Sequence, residues 1–249
     1  MMKKILLFTT LTASLFATSS EEIAQKSYQM VSGYKSSISK TTMILKNAEG
    51  IENIRKLEMK KLEGESGDKS LLTFLYPDDL KGTKLLSFEV IAGDDKQWLY
   101  LPSLKRVKRI SSRNKSGSFM ASEFSYEDIS SQNYKNYSYD GEAEEVTKDG
   151  VAYYKIKRVP IDENSGYSKQ IVWIEKETLL AKYGEYYDKQ NRLLKKIHFL
   201  EYRLIDGVQR IVKMMIENVQ NKKSSSLIWD EDKIDIGINS SELSKRVLK

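Results

Sequence analysis

Apolar and polar positions change their spacing twice along this chain. Between residues 19 and 34 the spacing is helical: Ser19 and Glu22 stand at a capping-box distance, and Ile23, Met30, Val31 and Tyr34 share one face. From about residue 39 the period becomes two. Met43 and Leu45 alternate with Thr42, Ile44 and Lys46, and after Glu49-Gly50 the alternation resumes over residues 51–63, which predicts a long antiparallel hairpin. Further strands are expected at 71–76, 83–91 and 97–101, separated by a turn at 64–69, by Pro77-Asp78-Asp79 and by Gly93-Asp94-Asp95. The rhythm returns at 151–159, 169–175, 179–187, 192–205, 209–218 and 224–229, and a short helical tail at 240–248 is expected to start from Ser240 or Ser241.

About ten strands joined by tight turns predict a mainly β (α+β) fold, a curved antiparallel sheet forming a half-open β-barrel with a few helices as lid or plug. Only three prolines and no Gly/Ser linker argue for one domain over residues 18–249. An imperfectly covered concave face would leave an apolar cavity fit for an acyl chain or another lipid.

The first seventeen residues read differently. Lys3 and Lys4 precede an apolar run from Ile5 to Phe16, and Ala17 offers a small residue for cleavage. That is the layout of a secretory signal peptide, since about 12 apolar residues fall short of the roughly 20 needed to span a bilayer. With Lys3 and Lys4 gone the formal charge falls from +6 to +4. Export makes nucleic acid an implausible partner for a basic chain and favours an anionic membrane surface or an acidic protein patch. There is no cysteine, which excludes disulfides, thiol nucleophiles, cysteine metal sites and a lipidated cysteine after the leader.

One stretch departs from the average composition. From Lys96 to Ser122 the chain carries seven cations, Lys96, Lys105, Arg106, Lys108, Arg109, Arg113 and Lys115, and no acid; then Glu123, Glu127 and Asp128 follow. Six cations between Lys105 and Lys115 exceed what protecting a strand edge requires, so these six are candidates for docking onto a partner or an anionic headgroup. Trp98, Tyr100, Phe119, Met120, Phe124, Tyr126 and Trp173 are candidate cargo contacts, with an ordinary sheet core as the alternative reading. Glu127-Asp128 is expected to cap or to pair with nearby cations.

Candidate catalysis is thin. The one histidine, His198, lies in a strand pattern without a spaced Ser or Asp partner, so a triad or a histidine metal site is not expected, and no cofactor is implied. Carboxylate pairs at Asp78-Asp79, Asp94-Asp95 and Glu127-Asp128 keep a two-carboxylate hydrolase open, although two of the pairs sit at turns that favour Asp for backbone bonding.

The segments FLYPDDLKGTKLL at 74–86, WLYLPSLKRVKRI at 98–110 and SFMASEFSYED at 118–128 resemble the outer-membrane lipoprotein-sorting protein family, the LolA-like proteins of the RND-exporter-associated type. Ala121 stands where that pattern usually has glycine, and Glu123 where it has aspartate. The resemblance implies a half-open barrel with a helical lid. It also implies a monomeric periplasmic carrier that shields the acyl chains of a lipoprotein and delivers them to an outer-membrane or RND-type exporter partner, without enzymatic chemistry. A periplasmic accessory or sensor subunit with no cargo of its own is the other class it leaves open.

Overall fold

The computed structural model describes residues 18–130 and 132–248. The expected signal peptide lies outside the described residues.

Helix α1 (Ser20–Met30) opens the described chain, with the Ser19 hydroxyl accepting from the Glu22 N–H. It is shorter than the 19–34 spacing suggests, because Ser32 and Gly33 follow and Gly33 takes a φ of +95°. Gly33 and Tyr34 then donate their backbone N–H groups to one Glu63 carboxylate oxygen.

Fourteen strands follow, more than the expected ten. The first six are β1 (Ser36–Lys46), β2 (Glu52–Leu62), β3 (Lys69–Tyr76), β4 (Lys84–Phe88), β5 (Lys96–Leu101) and β6 (Arg106–Ile110). After a long connection that contains the one-turn helix α2 (Tyr126–Ile129) come β7 (Tyr137–Tyr139), β8 (Glu144–Lys148), β9 (Val151–Pro160) and β10 (Tyr167–Glu175). The last four are β11 (Ala181–Asp188), β12 (Leu193–Ile205), β13 (Val208–Asn218) and β14 (Lys223–Ile234). Strands β6, β7 and β8 escape the sequence pattern. They are three to five residues long and carry mostly polar side chains, so alternation has little to register.

All fourteen join one antiparallel sheet in the order β6-β5-β4-β3-β2-β1-β14-β13-β12-β11-β10-β9-β7, with β8 also on β9. The sheet curves but does not close, since β6 and β7 keep free edges. Connection 111–136 lies across this seam: Ser112 donates to Asp94, Lys115 pairs with Asp162, and Glu127 accepts from the Ser165 hydroxyl and the Gly166 N–H.

Alternation divides the side chains between two faces. Leu72, Leu85 and Leu99 point into the main core with Met43, Ile197 and Ile216. Their neighbours Leu71, Leu86 and Trp98 point the other way and are covered by Leu243 and Leu248 of the C-terminal tail. That tail forms two 3-10 turns, Ser240–Leu243 and Lys245–Leu248, in place of the expected helix. Asn239, not Ser240 or Ser241, caps it in a capping box with Glu242, and Ser244 is extended (φ −125°, ψ 162°), which interrupts the turn.

Candidate functional site

Between α1 and the concave face lies an apolar cavity of two lobes, about 260 and 200 Å³. The lobes share Tyr28 of α1 and Val31 just after it, Ile211 and Met214 of β13, and Asp128 and Gln132 of the seam-crossing connection. Together they fall within the roughly 300–1,000 Å³ usual for small-ligand sites.

Helix α1 is the cover. Ile23 and Ala24 bury against Ile156, Val172 and Ile174 of β9 and β10. Its N-terminus is clipped to the β7–β8 turn, where Ser20 N–H donates to the Gly141 carbonyl and Ala143 N–H to the Thr18 carbonyl, and its far end rests through Tyr28 on the Tyr134 ring at 5.7 Å. The second lobe lies directly beneath it, lined by Ala24, Ile156, Val172 and Phe199.

A hairpin-like turn, 118–125, packs into the barrel core and lines the first lobe through Phe124. Phe119 N–H donates to the Phe124 carbonyl at 2.7 Å, Ser122 N–H donates back to the Phe119 carbonyl, and the Ser122 hydroxyl donates to the same atom. Phe119 and Phe124 are wholly buried, with the Phe119 ring 5.8 Å from Phe74 and 5.5 Å from Tyr126. Met120 and Ala121 both adopt left-handed backbone, φ +51° and +63°, a conformation that glycine would take freely and alanine meets only with strain. Glu123 ties the turn to the far wall: its backbone N–H donates to the Ser225 hydroxyl, and its carboxylate accepts from Asn218 and Asn221.

Glu127 and Asp128 fasten this plug. Asp128 accepts from the Ser125 N–H while Ser125 Oγ accepts from the Asp128 N–H, completing a capping box on α2. Asp128 also accepts from Lys195 Nζ at 2.8 Å and Tyr167 Oη at 2.8 Å, and Lys195 reaches Tyr167 Oη at 2.7 Å. Burial first, then the Asp128 charge, raises the Glu127 carboxyl above the ordinary glutamate range. Asp128 thus both caps and pairs with a cation, as expected, whereas Glu127 is held by the Ser165 hydroxyl and the Gly166 N–H.

The cation-rich stretch divides. Lys105, Arg106, Lys108 and Arg109 are exposed on or beside the free edge strand β6, and Arg113 is exposed in the following turn. Lys115 is turned inward and paired with Asp162. Of the candidate cargo contacts, Phe119, Met120, Phe124 and Tyr126 meet in the plug, where Phe124 lines the cavity directly. Trp98, Tyr100 and Trp173 are not brought to it. Trp98 and Tyr100 face the C-terminal tail, with Lys245 Nζ 4.2 Å above the Trp98 ring. Trp173 alternates with the inward Val172 and Ile174 and packs on Tyr183 at 4.8 Å. His198 lies against the same Tyr183 ring at 5.1 Å, and burial lowers its pKa. Among the described residues no cluster of three or more His, Asp or Glu side chains is arranged to hold a metal ion.

Tyr28 of α1, Val31 just after it, and Phe199, Ile211, Met214 and Trp229 on the last strands are lining residues that sequence reasoning missed. A usable signal existed in the strands, because Met214 shares its side of β13 with the buried Ile216.

An open antiparallel half-barrel, plugged at one end and roofed by a single helix over an apolar cavity, defines a carrier-type binding fold. A family model described as uncharacterized-protein-like matches residues 66–249. The structure is similar to that of a domain assigned to outer membrane lipoprotein sorting from Vibrio parahaemolyticus, with a TM-score of 0.87 and 40% identity over 92% of this chain and 97% of that one. A DUF1329 family protein from Desulfovibrio piger gives 0.86 at 29% identity over 92% and 98%. For a LolA superfamily protein from Nitrosomonas europaea the values are 0.77 and 18% over 93% and 100%, a likeness of fold. A comparison with curated protein sequences finds no match. The chain belongs to the outer membrane lipoprotein-sorting protein family of the Vibrio parahaemolyticus domain.

Proposed function

We propose that this protein is a periplasmic carrier that takes up the acyl chain of a lipoprotein, or of another lipid, in the cavity under α1 and passes it to an acceptor at the outer membrane or on an exporter. The observation that carries this reading is the pair of connected apolar lobes beneath a cover held at its ends. Each methylene moved from water into such a cavity is worth about 0.8 kcal/mol, so a partly enclosed chain binds usefully without covalent chemistry. The family relationship supports the reading, because the Vibrio parahaemolyticus relative is described as a lipoprotein-sorting domain. Residues 1–17 would direct export and be removed, leaving residues 18–249 as one carrier domain.

The carboxylates next to the cavity are engaged structurally, Asp128 by Lys195 and the α2 cap, and Glu127 by Ser165 and Gly166, which favours binding over hydrolysis. The exposed cations Lys105, Arg106, Lys108, Arg109 and Arg113 would meet an acidic partner surface or anionic headgroups. Organic extraction of the purified protein followed by mass spectrometry tests the reading. Acyl-bearing species are expected in near-stoichiometric amount. Preparations that stay empty, and that also fail to take up added lipid, would replace the carrier with an accessory subunit acting through its surface.

A further inference from the structure

Three cationic side chains line the cavity, and two have carboxylate partners. Lys61 Nζ lies 2.7 Å from Asp68, and Arg210 Nε lies 2.7 Å from Asp232. The third, Arg158 on β9, lines the lobe under α1 and forms no ion pair among the described residues. Its Nε donates to Gln170 Oε1 at 2.7 Å, its Nη2 donates to Tyr186 Oη at 3.2 Å and to Gln132 Oε1 at 3.3 Å, and its guanidinium carbon sits 3.9 Å from the Tyr137 ring centre. All these neighbours are neutral. Burial pushes the Tyr137 and Tyr186 phenols up, so neither supplies a negative charge near neutral pH.

The nearby acids are engaged elsewhere. Asp128 is held by Lys195, while Glu89 and Asp95 of the other lobe accept backbone N–H groups of Asp68 and Val90. A guanidinium that lines a lobe walled by Ala24, Ile156, Val172 and Phe199, and that has only neutral hydrogen-bond partners and no anion, is costly to keep. Its planar fork of donors suits a carboxylate or a phosphate. Gln132 makes the longest of the three bonds, is itself exposed, and shares its Oε1 with the Tyr137 hydroxyl at 2.7 Å, so an incoming anion can displace it from the guanidinium and leave it on Tyr137.

We infer that Arg158 is an anchor for the anionic head of a single-chain amphiphile, a carboxylate or a phosphate monoester, whose chain runs from this lobe toward Phe124. The inference rests on the carrier reading and adds a ligand class to it: the preferred cargo carries a negative charge next to its chain.

The test is displacement of the neutral probe N-phenyl-1-naphthylamine from the purified protein by hexadecanol, hexadecanoate and hexadecyl phosphate. At least one anion is expected to bind about ten- to a hundredfold more tightly than the alcohol, as a charge-assisted hydrogen bond predicts. The stronger of the two anions identifies the head. Arg158→Gln should weaken the preferred anion at least tenfold more than it weakens hexadecanol, erasing the preference, and Arg158→Lys should keep part of it. Equal affinity of the wild-type protein for all three compounds overturns the anchor and leaves the carrier reading standing. Equal weakening of all three in Arg158→Gln also overturns it, because the arginine would then be a structural residue of the wall. If the wild-type protein takes up neither the probe nor any of the three compounds, the carrier reading falls and the anchor with it.

Discussion

Lys195 and Asp128 form an ion pair at 2.8 Å in which both side chains are almost wholly buried, at 8% and 6% exposure. One belongs to the wall strand β12 and the other to the one-turn helix that closes the plug, so the pair ties the plug to the barrel. Removing one partner leaves an uncompensated buried charge. Lys195→Met should therefore lower unfolding stability by about 3–5 kcal/mol, and the double variant Lys195→Met/Asp128→Asn should recover part of that loss. Urea denaturation measures both, and a single variant as stable as wild type would show that the pair does not hold the plug.

Glu127 gives the plug a pH dependence of defined sign. Its folded-state pKa is raised, chiefly by burial and then by Asp128, so the native protein holds this proton to higher pH than the unfolded chain does. The associated stability is complete below the unfolded value of about 4.5 and is lost as pH rises through the folded one. Glu127→Gln removes this loss. Its stability should fall less than that of wild type between pH ~4.5 and neutrality, and parallel curves from denaturation at stepped pH would refute the assignment.

Ala121 offers a stabilising change. At φ +63° an alanine suffers contacts that glycine avoids, and its side chain is exposed, so nothing is lost from the core. Ala121→Gly should stabilise by about 0.5–1 kcal/mol, the left-handed strain relieved less the entropy glycine adds to the unfolded chain. Thermal unfolding of the two proteins side by side reads the difference, and a lower midpoint for the glycine variant would count against the strain.

Much of the fold was legible because polar and apolar positions alternate openly in stretches such as Lys56-Leu57-Glu58-Met59-Lys60, whereas at Leu71/Leu72 and Trp98/Leu99 both faces are apolar. What a period of two cannot tell is which face is concave. Trp98 belongs to the outer face because a tail more than 140 residues later folds over it, and no local feature announces that contact. The charge pattern around 96–128 marked the plug and the basic edge, yet Lys115 looked like its neighbours and turns inward to Asp162. Arg158 was the least visible. It stands in KIKRV beside Lys155 and Lys157, each paired with an acid, and is set apart only by the arrival of α1 and of β7 beside β9.

The edge strand β6 should act as an electrostatic contact. Arg106 and Arg109 are exposed on it, and each cation near an anionic bilayer contributes about 1 kcal/mol. The double variant Arg106→Glu/Arg109→Glu should lose more than tenfold in co-sedimentation with phosphatidylglycerol-containing vesicles at low salt, and wild-type binding should weaken as salt rises. Unchanged sedimentation would remove the membrane-facing role from this edge.

Met214 allows the cavity to be tested without touching a charge. It lines both lobes, so a larger side chain at 214 is directed into the empty volume between β13 and α1. Overpacking a filled core costs about 1–3 kcal/mol, whereas filling a void costs less because the new atoms gain contacts. Met214→Trp should therefore keep its circular dichroism spectrum and unfold within a few degrees of wild type, which is less than about 2 kcal/mol at this chain length. A ligand denied three methylenes of burial loses about 2.4 kcal/mol, or roughly 50-fold in affinity. Hexadecanol displacement of the naphthylamine probe measures that loss. Wild-type affinity in a folded Met214→Trp protein would mean that the chain binds outside these lobes, and it would remove the cavity as the site of cargo.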